Sequence, residues 1–370
     1  MITVSIMSML HNDRPVLDIP GIATRGRPIP MKALLLRLSI DPYIAAILGM
    51  VALASALPVH GRATAVAGDA SMAVIALMFF LQGARLAPQA ALAGAKHWRL
   101  HVIVLTSTYL LFPALGLTAR ALAPGLLTPA LWGGLLMLCV LPSTVQSSIA
   151  FTSIARGNVP AALCAATGSN LFGILLTPLL AGLLFSTQSV FSARGVGDIV
   201  LELLLPFAAG QLARPWIAEW VGRNKHLVGL VDRGSILLVV YVAFSEGVTH
   251  GIWHQIDATH LVSLLLLDTA LLVAVLLATT GVSRLFGFSR ADEITIVFCG
   301  SKKSLASGLP MASVLFAGQS LGLVVLPLML FHQIQLMVCA ALARRYAAGA
   351  TPQTRTPGHG TSAATMAATR

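Results

Sequence analysis

The sequence is poor in charge: 10% of its 370 residues are Asp, Glu, Lys or Arg, against about 25% in a soluble domain. Water therefore cannot be the main solvent for its surface. Acid is scarcer still, with 13 Asp and Glu against 24 Lys and Arg, so a buried cation has few partners available. Cysteine is confined to Cys139, Cys164, Cys299 and Cys339, with no paired spacing on loops. That pattern implies neither a disulfide framework nor a metal site, and packing is their expected role. The net charge of +11 is scattered along the chain instead of forming one stripe, which argues against a nucleic-acid partner. The apolar segments contain no nucleophile–base pair and no metal-ligand cluster, so an enzyme is not expected.

What is abundant is apolar sequence, 56% of the chain. The apolar runs are hydrophobic all round instead of along one stripe, the pattern of helices that face lipid or a buried core. A bilayer core about 30 Å thick needs about 20 such residues in a helix, because lipid offers exposed backbone groups no partner. Runs of that kind fall at approximately 40–58, 70–86, 100–119, 129–154, 159–185, 199–213, 231–250, 261–283, 292–317 and 320–343. The expectation is an all-α polytopic membrane protein of ten spans.

Orientation follows from Lys and Arg at the span ends, since the cytoplasmic side retains positive charge. Of the 24 basic residues, Arg62, Arg120 and Arg194 fall on one side, Lys302 and Lys303 lie inside a span, and all others gather on the opposite side. Both termini are thus expected in the cytoplasm, with the chain in the inner membrane. Residues 1–39 carry Pro15, Pro20, Pro28 and Pro30 without the apolar core of a secretory signal. They read as a disordered extension, with Met31 an alternative start. The segment 351–370, rich in Thr, Ala, Gly and Pro, reads as a disordered tail.

Ten spans divide into two sets of five, 40–185 and 199–343, and an odd number per set turns the second upside down relative to the first. In such inverted repeats the solute site lies near the midplane, at broken helices in equivalent positions. Span four contains LPSTVQSSIAFTSIA and span nine contains FCGSKKSLASGLP, each the fourth span of its set. Both place Pro, Gly and hydroxyl residues where a lipid-facing helix would be apolar. The alternative is two helices merely kinked, with Ser and Thr satisfying freed carbonyls.

Lys302 and Lys303 begin about ten residues into span nine, roughly 15 Å deep at 1.5 Å per residue. A central Lys is disfavoured by about 2.5–3.5 kcal/mol on insertion scales, so two adjacent ones need water, an anion or a carboxylate. Asp268 in span eight lies at a compatible height and is the expected partner of one lysine, the other facing a solute cavity. The bland alternative is an ion pair that only locks spans eight and nine. Glu246 and Glu202, near outer span ends, are less informative. A half-helix beginning near Ser304 would aim its N–H groups at the same place, favouring an anion. Candidate solute-binding residues are therefore Gln146, Ser147, Lys302, Lys303 and Ser304. Ser147, Ser148, Thr167, Ser169 and Asn170 are candidate oxygen ligands for a hard cation, or ordinary interhelical glue. Gln82 is a weaker candidate, and His332, near Gln333 and Gln335, reads as a packed core residue.

At these residues the chain resembles the bile acid:sodium symporter superfamily, in particular its bacterial sodium-dependent-transporter-like branch. The resemblance is carried by HWRLHVIVLTSTYLLFPALGL (97–117), LPSTVQSSIAFTSIARGNVPAA (141–162), GSNLFGILLTPLL (168–180), FCGSKKSLASGLPMA (298–312) and FHQIQLMVCAALARRY (331–346). It implies a core and a panel domain, spans four and nine broken and crossing, and symport of an organic anion. It also implies sodium as a coupling ion, held through Ser147, Ser148, Thr167, Ser169 and Asn170. The departure is Ser301-Lys302-Lys303-Ser304, where relatives place a glutamate and a glutamine. A lysine ammonium there could stand in for a sodium ion and make transport uncoupled, proton-coupled or dependent on one ion. The rival to transport is a membrane sensor that keeps the fold, although no signalling domain is visible.

Overall fold

A computed structural model describes residues 42–85, 97–185, 193–249, 251, 257–316 and 321–349. All packing described below belongs to the unit Tyr43–Arg370. The expected disordered ends, 1–39 and 351–370, and the alternative start at Met31 lie outside the described residues. Among those residues every regular element is a helix. In chain order they are α1 Pro42–Ala56, α2 Arg62–Arg85 and α3 Trp98–Leu122, which contains a π-helical turn at Ser107–Leu111. The next element is interrupted, α4a Pro129–Val140 and α4b Gln146–Ile154. Then come α5 Val159–Phe185, α6 Ala193–Arg223, α7 Lys225–Thr249 and α8 Ala258–Leu285. A second interrupted element, α9a Arg290–Gly300 and α9b Leu305–Leu315, precedes α10 Leu321–Ala348.

Six of these helices, α2, α3, α5, α7, α8 and α10, are each long and apolar enough to cross a membrane. The chain is a multi-pass membrane protein, and its surface shows it. Leu183, Leu205 and Leu277 are 71%, 67% and 68% exposed, while Ser143, Asp268, Lys302 and Lys303 are fully buried. That distribution suits lipid as the outer solvent. Two segments differ from the sequence expectation. Helix α2 starts at Arg62, and α6 runs on to Arg223 where its apolar run stops at 213. Hydropathy stops at Arg214 and Pro215, but the helix continues as a strip bearing the exposed Trp216 and Trp220. Such aromatics beside Arg and Lys suit the membrane–water boundary.

Small residues set the closest helix approaches. A methyl group on Gly83 of α2 would collide with the Phe207 carbonyl of α6, and one on Gly210 of α6 with the Phe80 carbonyl of α2. The two backbones therefore touch, the packing that glycine permits in membranes. Helix α4a is buried from Leu131 to Val140 on every side. Its all-round hydrophobicity thus reflects a place at the centre of the bundle, against α10, where Gly134 abuts the Val324 carbonyl.

Candidate functional site

A helix ends with carbonyls that have no partner within the helix, and at membrane depth each must find one elsewhere. The two interruptions supply each other's. At the end of α9a, Gly300 O accepts from Ser107 Oγ at 2.9 Å, Cys299 O from Ser143 Oγ at 2.6 Å, and Phe298 O from Ser148 Oγ at 3.1 Å. At the end of α4a, Val140 O accepts from Thr177 Oγ1 at 2.8 Å and Pro142 O from the Ser304 N–H at 2.9 Å. Ser143 of the first break caps α9a, and the Ser304 N–H of the second donates to Pro142 O within the first. The breaks at 141–145 and 301–304 therefore meet.

The remaining carbonyls belong to Lys303. Its Nζ donates to Thr108 O at 2.7 Å, Cys139 O at 2.8 Å and Leu141 O at 2.8 Å, and stands 4.1 Å from the centre of the Phe112 ring. Three acceptors need three N–H donors, which only the ammonium has. Each acceptor is free for a local reason. Pro113 has no N–H to return to Thr108 O in the π register. The Ser143 N–H is turned to Ser169 Oγ at 3.0 Å, which leaves Cys139 O open. Leu141 lies past the last turn of α4a, whose carbonyl end carries negative partial charge. The Lys303 backbone is clamped as well: its N–H donates to Gln335 Oε1 and its carbonyl accepts from Gln335 Nε2, both at 2.9 Å. Gln335 Nε2 also lies 2.8 Å from Nδ1 of His332, which is half-buried.

Lys302 points the other way. Its Nζ makes no hydrogen bond and sits 3.7 Å from the Phe151 ring centre of α4b and 5.8 Å from that of Phe298. The face of a ring attracts a cation where water is excluded. Both lysines are fully buried, and neither opens onto a solute cavity. The expectation that one of them does so is corrected. The physical reason is the set of orphaned carbonyls, which draws the ammonium of Lys303 into the backbone.

Asp268 is also not the partner of either lysine. It is fully buried, both carboxylate oxygens lack a hydrogen-bond partner, and it forms no ion pair. Of the other residues singled out, Ser148 and Ser169 are fully buried. Ser169 O also accepts from Tyr109 OH at 2.5 Å. Asn170 Nδ2 donates to Ser143 O at 2.6 Å and Ala166 O at 3.0 Å, and its Oδ1 accepts from Ser307 Oγ at 3.0 Å. Ser147 Oγ is 2.7 Å from Thr144 Oγ1. Ser304 Oγ accepts from the Ser307 N–H at 3.2 Å, capping α9b. Gln146 is exposed, and Ser147, Thr167 and Asn170 are half-buried; these four keep the polar access at the crossing.

The set proposed for sodium therefore does not converge on an open cage. Ser148 Oγ is turned to Phe298 O, Ser169 Oγ to the Ser143 N–H, and the Asn170 amide to two carbonyls and a hydroxyl. Carbonyls grouped as a hard cation would need them are those around Lys303. Among the described residues no cluster of three or more His, Cys, Asp or Glu could hold a metal. The sequence indicated the breaks, but not Thr108, Phe112, Phe151 or Gln335 as their partners. Pro113 following the hydroxyl pair Ser107-Thr108 was the available signal.

A bundle with its apolar side outward and two polar, interlocked helix breaks at its centre defines a polytopic integral membrane protein. The sequence pattern of the SBF-like CPA transporter family (DUF4137) matches residues 41–348. The chain is 52% identical over 309 residues to the uncharacterised protein PA2026 of Pseudomonas aeruginosa, covering 83% of this chain and 93% of that one. It is 51% identical over 308 residues to the candidate symporter YfeH of Escherichia coli K12, again 83% and 93% of the two chains. Sodium/bile acid cotransporter 7 of Mus musculus is 29% identical over 278 residues, 74% of this chain and 81% of that one. The chain belongs to the SBF-like CPA transporter family and is a membrane transporter, in keeping with the superfamily resemblance of its sequence.

Proposed function

We propose that the chain carries a small organic anion across the inner membrane by alternating access, with the Lys303 ammonium serving as a permanently attached cation. One observation carries this reading: the lysines at the crossing have no carboxylate within ion-pairing distance. The positive charge there is uncompensated by protein, and an anion approaching Gln146, Ser147, Thr167 and Asn170 would supply what is missing. The lysines act through their field, from behind the backbone, and the half-buried polar residues touch the solute.

The reading takes α1, α6 and the two interrupted elements as the spans that complete ten, in inverted repeats 40–185 and 199–343. Reciprocal capping supports it, because each break serves the other as a two-fold relation requires. Cytoplasmic placement of the basic ends is supported by Arg85 with Asp232 and by Arg284 and Arg290 with Glu293. These pairs gather ends of α2, α7, α8 and α9a that carry the cytoplasmic charge. Sodium is not required on this reading, since the ammonium takes the carbonyl set a coupling ion would use.

The test is flux in proteoliposomes of purified protein loaded with a panel of organic anions, bile salts among them. Flux that is equal in sodium and choline buffers supports the reading, and flux abolished in choline refutes the attached-cation part. Anions that stabilise the protein against heat but never cross would favour the membrane-sensor alternative. A ligand at a hundred times its Kd adds about 2.7 kcal/mol, enough to detect.

A further inference from the structure

Two carboxylates of the described bundle are buried, and their circumstances differ. Glu293, 5% exposed, accepts from Arg284, Arg290 and the Tyr346 hydroxyl. Asp268, fully buried, has no hydrogen-bond or ion-pair partner among the described residues. It is the eleventh residue of α8, Ala258–Leu285, which places it about 15 Å along the helix from its first residue at 1.5 Å per residue.

We propose that Asp268 is a proton-binding site, neutral in the conformation described here and ionised in another, so that proton release drives rearrangement of the crossing. The proposal rests on the transport reading above and names its coupling ion.

An ionised carboxylate at that depth without donors has nothing to offset its loss of hydration. With its proton in place the group is far less disfavoured. The ionisable groups of the elements packed around α8 do not relieve it. Tyr109 and Arg120 of α3, Glu293 and Cys299 of α9a, and His332 and Cys339 of α10 make neither a hydrogen bond nor an ion pair with it. Cys139 of α4a lies within electrostatic range of both Asp268 and Lys303.

That neighbour links Asp268 to the crossing. The Cys139 carbonyl is one of the three that hold Lys303 Nζ, at 2.8 Å. If Asp268 releases its proton to water entering from the side that opens, a negative charge appears in the neighbourhood of Cys139, whose carbonyl holds the ammonium. The ammonium then has a stronger acceptor than a carbonyl and is drawn from the α4a end, which loosens both breaks. Reprotonation from the other side restores the carbonyl set. One proton is bound and one released per cycle.

The full-length protein in lipid nanodiscs, with no anion added, permits the test by infrared spectroscopy and amide hydrogen exchange. The wild type is expected to show the C=O stretch of a protonated carboxylic acid at neutral pH, absent in Asp268→Asn and shifted in Asp268→Glu. Exchange at residues 139–145 and 301–304 is expected to rise in alkaline buffer in the wild type and to stay flat in Asp268→Asn, which mimics the protonated side chain. A band that survives Asp268→Asn, or no band, overturns the proposal. Exchange that rises equally in both proteins overturns it too, because a carboxyl with a purely structural role gives that result. Should Asp268→Asn fail to fold, the band shift in Asp268→Glu still decides. Neither readout involves solute, so a proton site in a chain without anion flux would refute transport and leave this assignment standing.

Discussion

Replacing Lys303 with alanine removes the cation and leaves its acceptors in place. The Thr108, Cys139 and Leu141 carbonyls, at 2.7, 2.8 and 2.8 Å from Nζ, lose their donor together. Three charge-assisted bonds at about 1.5–3 kcal/mol each represent roughly 5–9 kcal/mol. No longer burying an ammonium returns several kcal/mol, and the net loss on breaking such an arrangement is about 3–5 kcal/mol. The vacated space is lined by carbonyl oxygens at the negative end of α4a, so a small cation can replace the ammonium. Thermal unfolding of the detergent-solubilised variant in sodium, potassium and choline chloride at equal ionic strength reads both effects. Lys303→Ala should be strongly destabilised in choline and regain about 2.7 kcal/mol at a hundredfold excess of a fitting cation over its Kd. The wild type should respond equally to all three salts. A variant as stable as the wild type in choline would refute the reasoning, as would one indifferent to the cation.

Gln335→Leu deletes both bonds to the Lys303 backbone and should lower stability by about 1–3 kcal/mol, read as an earlier thermal transition. Phe151→Leu removes the ring 3.7 Å from Lys302 Nζ; a loss of up to about 2 kcal/mol is expected in the same measurement. Gly210→Leu forces α2 and α6 apart at the Phe80 carbonyl and should reduce the monodisperse yield on size exclusion, whereas Gly229→Leu, in open space, should not. At the start of α8, the His260 N–H and then its imidazole hold the Asp257 carboxyl below the usual carboxylate range. A depressed value in the folded state stabilises above the unfolded value and is lost as pH falls through the folded one. Acidification through that window should raise amide exchange over Ala258–Leu261 in the wild type and leave Asp257→Ala unchanged.

Much of this arrangement was legible in the sequence. LPST and GSKKS mark the breaks because Pro lacks a donor and hydroxyls supply one, and both properties belong to single residues. Depth along a helix was legible too, since it only requires counting. What could not be counted was direction and the supply of acceptors. Lys303 finds carbonyls freed by Pro113, by the Ser143 N–H turning to Ser169, and by the end of α4a, three conditions spread from residue 113 to residue 169. Asp268 is buried as deeply as the lysines but pairs with neither. The extension of α6 past Arg214 escaped hydropathy because its residues change solvent without changing conformation.

The mutual capping of the breaks also bears on synthesis. Ser143 waits for Cys299, 156 residues further on, and the Cys139 carbonyl waits for Lys303, 164 residues on. At about 5–20 residues per second, the first half is threaded into lipid roughly ten to thirty seconds before its missing partners emerge from the ribosome. Through that interval α4a carries bare carbonyls in a medium that cannot solvate them. The nascent half must therefore stay near the aqueous mouth of the insertion machinery, or borrow donors there, until the second half arrives.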